Sequence, residues 1–419
     1  MNRLLEGDVG SGKTVVATIA ALMAIKAGYQ VAFMAPTEIL SKQHFDEVSK
    51  LIWRFKVDVG LLTGKKDCIR SQRLKGDIAQ ISREKLLQRA HEGNLGLLIG
   101  THALIQDKVK FKNLALVVLD EQHRFGVEQR ANLCSGKGKT IPHLLSMTAT
   151  PIPRTLALTV YGDLSLSIID EMPKERKKVI TKLVSPKKRK DAYLFIEEEI
   201  KKGRQAFFIC PRIEEKENNS IAWSEVKTVE KEKERLKKEV FPSFKIGMLH
   251  GKMKSMEKEK IMRDFKNKKI DILVSTSVVE VGIDIKNASV MVIEGAEMFG
   301  LAQLHQFRGR VGRGEFQSYC FLFTNSRKEK TRNRMKALVE SENGFDLAEK
   351  DLQLRGSGDF LGKRQWGVAD FTMEALKDKL LVEEAREEAK KIVSEDRKLK
   401  KYPLLLERIN SLEKKLHLE

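Results

Sequence analysis

Gly7-Asp-Val-Gly-Ser-Gly-Lys-Thr14 has the spacing G-x-x-x-x-G-K-T, and an apolar helical pattern, Val15–Ala27, follows it. Glycines at this spacing let the backbone wrap closely and turn its N–H groups toward an anion. A helix beginning near Lys13 adds the positive end of its dipole. The stretch therefore reads as a phosphate cradle made of Gly7, Asp8, Gly10, Ser11, Gly12, Lys13 and Thr14. Lys13 would reach the β- and γ-phosphates of ATP, and Thr14 would ligate Mg²⁺. A strand, a glycine loop and a helix in that order open an α/β domain.

Leu116-Val-Val-Leu-Asp-Glu-Gln-His123 supplies the complementary half. Its four apolar residues form a buried strand that delivers Asp120 and Glu121 at the C-terminal end, where open α/β sheets place their ligands. Asp120 would hold Mg²⁺, and Glu121 would orient and deprotonate an attacking water. The phosphate loop alone also suits a kinase or a GTPase; loop and acidic pair together point to nucleotide hydrolysis.

Outward from these motifs, short apolar runs alternate with amphipathic segments. Val31–Ala35, Leu95–Ile99, Leu114–Leu119 and Leu144–Met147 belong to one set. Ala206–Cys210, Lys245–Leu249, Ile270–Val274 and Ser289–Glu294 belong to a second, after a charged stretch near Asp170–Lys178 that contains Pro173. Runs buried on both faces and separated by helical patterns predict parallel sheets. The expected divisions are residues 1–171, 172–328 and 329–419, the last helical and charged. Lys216–Lys238 is so polar that it is expected to be an exposed insertion.

Composition agrees with this size and suggests a partner. A chain of 419 residues, 41% of them hydrophobic, is long enough for two or three cores. Its 78 basic and 58 acidic side chains give 78 − 58 = +20, which favours polyanions, nucleic acid first. Cys68, Cys134, Cys210 and Cys320 form no C-x-x-C pair, so a structural zinc site is not expected and the cysteines read as buried thiols. The sequence has neither a long apolar run nor a signal peptide, and a cytoplasmic, monomeric protein is expected. The phosphate loop begins at the seventh residue, so a longer parent protein is also expected.

Two further segments bear on coupling. Ser146-Met-Thr-Ala-Thr-Pro-Ile-Pro-Arg154 follows a short strand, and its Thr148 and Thr150 hydroxyls can link a nucleotide site to a bound strand. Gln306-Phe-Arg-Gly-Arg-Val-Gly-Arg313 places three arginines in six residues. Such a run is either a solvated basic loop or a source of arginine fingers, which make hydrolysis depend on domain closure.

Together these segments resemble the superfamily-2 helicases. Ala35-Pro-Thr-Glu38, Gly100-Thr-His-Ala-Leu104 and Leu249-His-Gly-Lys-Met253 match strand-contacting motifs of that superfamily. Within it, three stretches resemble the RecG family of branch-migration DNA helicases: Asp120-Glu-Gln-His-Arg-Phe-Gly-Val-Glu-Gln-Arg130, Met147–Thr159 with Tyr161-Gly-Asp163, and Gly344–Asp359 continuing to Gly367. The resemblance implies two tandem RecA-like parallel-sheet motor domains and a small helical translocation module. It implies ATP and Mg²⁺ as cofactors, and duplex and branched DNA, including forks and Holliday junctions, as partners. Arg310 and Arg313 become the finger candidates, with Gln306 near the nucleotide. Arg355, Arg364 and Gln365 fall in the translocation loop, where Ser357 and Trp366 depart from the family pattern. The family's N-terminal wedge domain and adenine-reading segment have no counterpart in this sequence. Two other functions remain open: a duplex translocase of the transcription-repair coupling type, and a basic nucleic-acid scaffold without motor activity.

Overall fold

The computed structural model describes residues 1–64, 67–72, 76–121, 141–150, 164–172, 176–211, 221–280, 285–355 and 379–416. In chain order the strands are β1 (Asn2–Gly7), β2 (Gln30–Met34), β3 (Val59–Leu62), β4 (Cys68–Arg70), β5 (Ile78–Gln80), β6 (Leu97–Gly100), β7 (Leu114–Leu119), β8 (His143–Thr148) and β9 (Ser165–Ile169). These form one sheet in the order β5-β4-β3-β6-β2-β7-β8-β1-β9. A second set, β10 (Ile180–Val184), β11 (Gln205–Ile209), β12 (Ile246–Leu249), β13 (Ile272–Ser275), β14 (Ala288–Ile293) and β15 (Tyr319–Phe323), forms a sheet in the order β10-β15-β14-β11-β13-β12. The apolar runs of the sequence are these strands. They pair in parallel because helices cover both faces, so Phe33, Val118 and Met147 are fully buried on one face of the first sheet and Met34, Leu98 and Val117 on the other.

The helices are α1 (Lys13–Lys26), α2 (Glu38–Leu51), α3 (Arg83–Glu92), α4 (Arg189–Lys201), α5 (Ile221–Arg235), α6 (Ser255–Lys266), α7 (Leu301–Arg308), α8 (Glu329–Glu340), α9 (Gly344–Arg355), α10 (Lys379–Glu395) and α11 (Pro403–Leu416). By packing, Met1–Pro151 and Ser165–Asp351 form one compact unit and Ile152–Leu164 with Leu352–Glu419 a second. The described part of the second unit is helical, as the charged C-terminal sequence suggests. No described helix is long and apolar enough to cross a membrane.

Two expectations need correction. The first sheet is not wholly parallel: β3 pairs antiparallel with β4, and β4 with β5. These short strands carry one to three apolar residues each, too few for an alternation to register. Residues 221–238 are not an exposed insertion either. They form α5 and the turn after it, and Val229 and Leu236 are fully buried in the second core. Residues seven apart share one helix face, so two apolar side chains anchor a segment whose lysines and glutamates dominate its composition. Residues 212–220 lie outside the described residues.

β1 lies between β8 and β9, and β7 lies beyond β8. The C-terminal ends of β1, β7 and β8 therefore stand side by side. They carry the phosphate loop, the Asp120–Glu121 pair and the Thr148–Thr150 turn, and this sheet order is what brings residues so distant in sequence together.

Candidate active site

The phosphate loop is shaped by what surrounds each glycine. A Cβ on Gly7 would stand 2.5 Å from the Ser11 hydroxyl, which folds back over it. Gly12 caps α1 at φ 99°, a left-handed conformation that side chains disfavour. Lys13 is buried, and its ammonium donates to the carbonyls of Gly7 at 2.7 Å and Asp8 at 2.8 Å. Burial lowers the Lys13 pKa, opposed by the carboxylates of Asp120, Glu121 and Asp8. Its charge therefore faces the acidic pair.

Asp120 continues from β7, and its N–H is fixed by the Met34 carbonyl at 2.9 Å. Its carboxylate accepts from His44 Nε2 at 2.7 Å and from the Glu121 N–H at 3.0 Å. Burial alone would raise its pKa, but the His44 contact and the Lys13 charge hold the group below its ordinary value. Glu121 is also buried and adopts φ 52°, a left-handed conformation costing about 1–2 kcal/mol for an L-residue. Burial and the neighbouring Asp120 push the Glu121 carboxyl up to about 7, against the pull of Arg310 and Lys13. Two adjacent carboxyls thus sit in opposite electrostatic states. One is a firm anion suited to a cation, and the other is poised to exchange a proton near neutral pH.

The Thr148–Thr150 turn connects this pair to the second sheet. The Ala149 N–H donates to the Glu121 carboxyl. The Thr150 N–H donates to Thr148 Oγ1 at 3.1 Å, and Thr150 Oγ1 accepts from Gln306 Nε2 at 2.9 Å. Gln306 lies on α7, so a hydroxyl turn after β8 is bonded to a helix of the second sheet.

Arg310 is buried, and its charge acts on both Glu121 and Lys13. Arg313 is placed differently. Its Nε donates to the Gly309 carbonyl at 3.2 Å, and it lines, with Gly10 and Arg176, a cavity of about 680 Å³. Of the two finger candidates, Arg310 thus acts on Glu121 and Lys13, whereas Arg313 shares a cavity lining with Gly10. Arg176 also donates to the Gly312 carbonyl at 3.2 Å and to the Val9 carbonyl.

Asp8, counted above among the phosphate-binding residues, directs its carboxylate to protein groups. It accepts from His305 Nε2 at 2.6 Å, the Val9 N–H at 2.6 Å and the Gly344 N–H at 3.1 Å. Burial opposes its ionisation, yet these donors hold it well below the ordinary aspartate value. Arg308 donates to His305 Nδ1 at 2.9 Å and to the carbonyls of Leu338 at 2.8 Å and Ser341 at 3.1 Å. A guanidinium only donates, so Nδ1 accepts and Nε2 carries the proton toward Asp8. Sequence spacing gave His44, His305 and Arg176 no role, and it counted Arg308 only as one of the three arginines of the run, where its guanidinium instead bonds Leu338, Ser341 and His305. Each acts on a partner that only the fold brings near. Arg364, Gln365 and His123 lie outside the described residues, as do Ser357 and Trp366; Arg355 is the last residue of α9.

The donor set fits a nucleotide triphosphate with a hard cation. Backbone N–H groups and the Lys13 ammonium suit phosphate, while the Thr14 hydroxyl and Asp120 carboxylate suit Mg²⁺. Mg²⁺ keeps waters and phosphate oxygens as ligands, so it needs no cage of protein groups.

Comparison with known proteins agrees with this geometry. Residues 1–159 match the DEAD/DEAH box helicase model, residues 190–315 the helicase conserved C-terminal domain, and residues 341–417 the C-terminal part of domain 3 of ATP-dependent DNA helicase RecG. ATP-dependent DNA helicase RecG of Synechocystis is 49% identical over 404 residues, covering 96% of this chain and 46% of the relative. The Bacillus subtilis protein of that name is 48% identical, covering 94% and 55%. A solved structure of RecG bound to a three-way DNA junction superposes with TM-score 0.72 at 42% identity, covering 91% of this chain and 47% of that one. Yeast Dbp5 bound to RNA, at 16% identity and TM-score 0.56, shares the fold alone. The chain spans about half the length of the relatives it matches.

Proposed function

The chain belongs to the RecG helicase family, and from that premise we propose that it is an ATP-driven motor that moves along duplex DNA and remodels branched DNA. The observation that carries this reading is the meeting of Lys13, Asp120 and Glu121 from the first sheet with Arg310 from the second. A binding scaffold needs no such convergence.

In this reading the loop N–H groups and Lys13 hold the β- and γ-phosphates, and Thr14 and Asp120 hold Mg²⁺. The metal ion, when bound, neutralises charge on the phosphate oxygens. Glu121 accepts the proton of the attacking water, which its raised pKa permits near neutral pH. Arg310 and Arg313 stabilise the negative charge that develops on the transferring group. Gln306 and Thr150 tie that chemistry to the relative position of the sheets, so closure and hydrolysis are linked.

The DNA face would be formed by motifs at the C-terminal ends of strands: Ala35–Glu38 after β2, Gly100–Leu104 after β6 and Leu249–Met253 after β12. Arg355, Arg364 and Gln365 would transmit movement to the duplex. Residues 1–171, 172–328 and 329–419 are the proposed functional divisions. A coupling-factor-like motor shares this chemistry, but the Asp-Glu-Gln-His sequence at 120–123 and the RecG domain 3 match at 341–417 favour the RecG reading.

The test is ATP hydrolysis by this chain with and without duplex DNA. We expect Mg²⁺-dependent turnover that DNA accelerates and that Lys13→Ala abolishes. Turnover indifferent to DNA, or surviving in Lys13→Ala, contradicts the proposal.

A further inference from the structure

Away from the nucleotide site, the second sheet ends in a strand with one side unpaired. Among the described residues, β15 is the one strand to which β10 is hydrogen-bonded. Ile180 donates its N–H to Ser318 at 2.9 Å, and the Val184 carbonyl accepts from Thr324 at 3.5 Å. Backbone groups alternate in direction along a strand, so Ile180, Lys182 and Val184 face β15 while Thr181 and Leu183 face outward. The backbone N–H and C=O groups of Thr181 and Leu183 have no hydrogen-bond partner among the described residues. Leu183 is 37% exposed and Ile180 is 42% exposed.

This edge opens onto a cavity of about 1040 Å³ between β10, α4 and α8. Its floor is apolar, with Phe195 and Phe321 in edge-to-face contact at 5.7 Å. Its rim carries Lys182, Lys188, Arg327, Arg332 and Lys336 against two carboxylates, Asp191 and Glu329. Lys336 pairs with Glu340 at 3.6 Å, and the Lys182 ammonium lies 5.9 Å from the Phe195 ring. Lys188, Arg327 and Arg332 have no ion pair among the described residues.

We propose that this groove docks an extended acidic peptide of a partner protein, which adds to the sheet as a strand along β10. Three features select that occupant. A strand edge is completed by another strand, and main-chain pairing then supplies affinity while flanking side chains supply specificity. Unpaired cations on the rim call for carboxylates on the partner. The phenylalanine floor calls for apolar side chains between them. Nucleic acid would satisfy the rim but presents no backbone ladder to the edge. A second copy of this chain would bring the same cations face to face. The inference does not depend on the motor reading.

The probe is a fluorescein-labelled peptide, Glu-Val-Asp-Val-Glu-Leu, followed by anisotropy with the full chain. Its control has the same sequence with alternate amides N-methylated, which keeps every charge but removes donors. We expect the control to bind about tenfold more weakly, the scale of a lost hydrogen bond. Lys188→Glu with Arg332→Glu should also weaken the peptide about tenfold or more, with unchanged circular dichroism and ATP turnover. Leu183→Pro removes the outward N–H, which would donate to a peptide carbonyl, and leaves the β15 pairing intact, so it should weaken the unmodified peptide. Equal binding of peptide and control overturns the proposal, as does no saturable peptide binding. An oligo-dT strand that displaces the peptide and loses affinity in the charge-reversed variant assigns the groove to nucleic acid and overturns it too.

Discussion

Asp8 in the phosphate loop and His305 on α7 are joined by a 2.6 Å hydrogen bond across 297 positions of sequence. The same carboxylate accepts the N–H of Gly344, the first residue of α9. A loop shaped to hold phosphate is thereby fastened both to the arginine-bearing helix and to the start of the helix that leads toward the translocation segment.

Asp8→Asn should therefore destabilise the fold by about 2–4 kcal/mol, because buried donors lose a charged acceptor. The sign of its pH dependence follows from the depressed carboxyl pKa. Stability gained from such a group is complete above the unfolded aspartate value near 4 and fades as pH falls below it. The gap in urea midpoint between wild type and Asp8→Asn should begin to narrow below about pH 5 and keep narrowing below about pH 3, because the folded carboxyl gives up its charge only well below the ordinary aspartate range. A gap that stays constant as pH falls below about 5 contradicts the assignment.

Glu121 gives the opposite sign. Its carboxyl is pushed up to about 7 by burial and by Asp120, so the ionised form strains the folded state as pH rises from about 4.5 through 7. Glu121→Gln should be more resistant to urea than wild type at pH 8, by up to about 3 kcal/mol, with the advantage gone by pH 4. The kcat/KM of wild type should rise with pH through a midpoint near 7 and be lost in the variant, which still binds ATP. An acid limb centred below 5 would falsify the general-base role.

These two residues show how far the sequence could be read. Lys13, Asp120, Glu121 and the parallel strands beneath them were legible because each signal is local: a loop spacing, or an apolar run ending in carboxylates. His44 and His305 were not legible, since each sits in an ordinary helical stretch and gains meaning only from Asp120 or Asp8. The arginine run showed finger candidates but could not divide them. Only the fold sets Arg310 toward Glu121 and Arg313 beside Gly10. α5 was misread because two buried side chains were outvoted by its charge.

The Gln306–Thr150 bond of 2.9 Å is a side-chain link from the hydroxyl turn to α7. Gln306→Ala should leave DNA-independent turnover near the wild-type rate and reduce DNA stimulation about tenfold. Steady-state ATPase assays across a DNA titration distinguish this from a folding defect, which would lower both rates alike.

Arg355 is expected to act after the chemistry. Arg355→Ala should keep much of the DNA-stimulated ATPase and lose triplex displacement, because a bidentate arginine contact to phosphate or carboxylate has no counterpart in alanine. Displacement that survives alongside hydrolysis would make this residue structural.

The central claim, that two sheets assemble one hydrolytic site, rests most directly on Arg310. Single-turnover ATP hydrolysis in saturating duplex DNA, with nucleotide affinity measured on the same preparation, tests it. Arg310→Ala is predicted to bind ATP within about threefold of wild type and to lose about 10³-fold or more in the hydrolysis rate constant, the scale of a missing arginine finger. A rate constant within about tenfold of wild type, or a loss confined to ATP affinity, would contradict it.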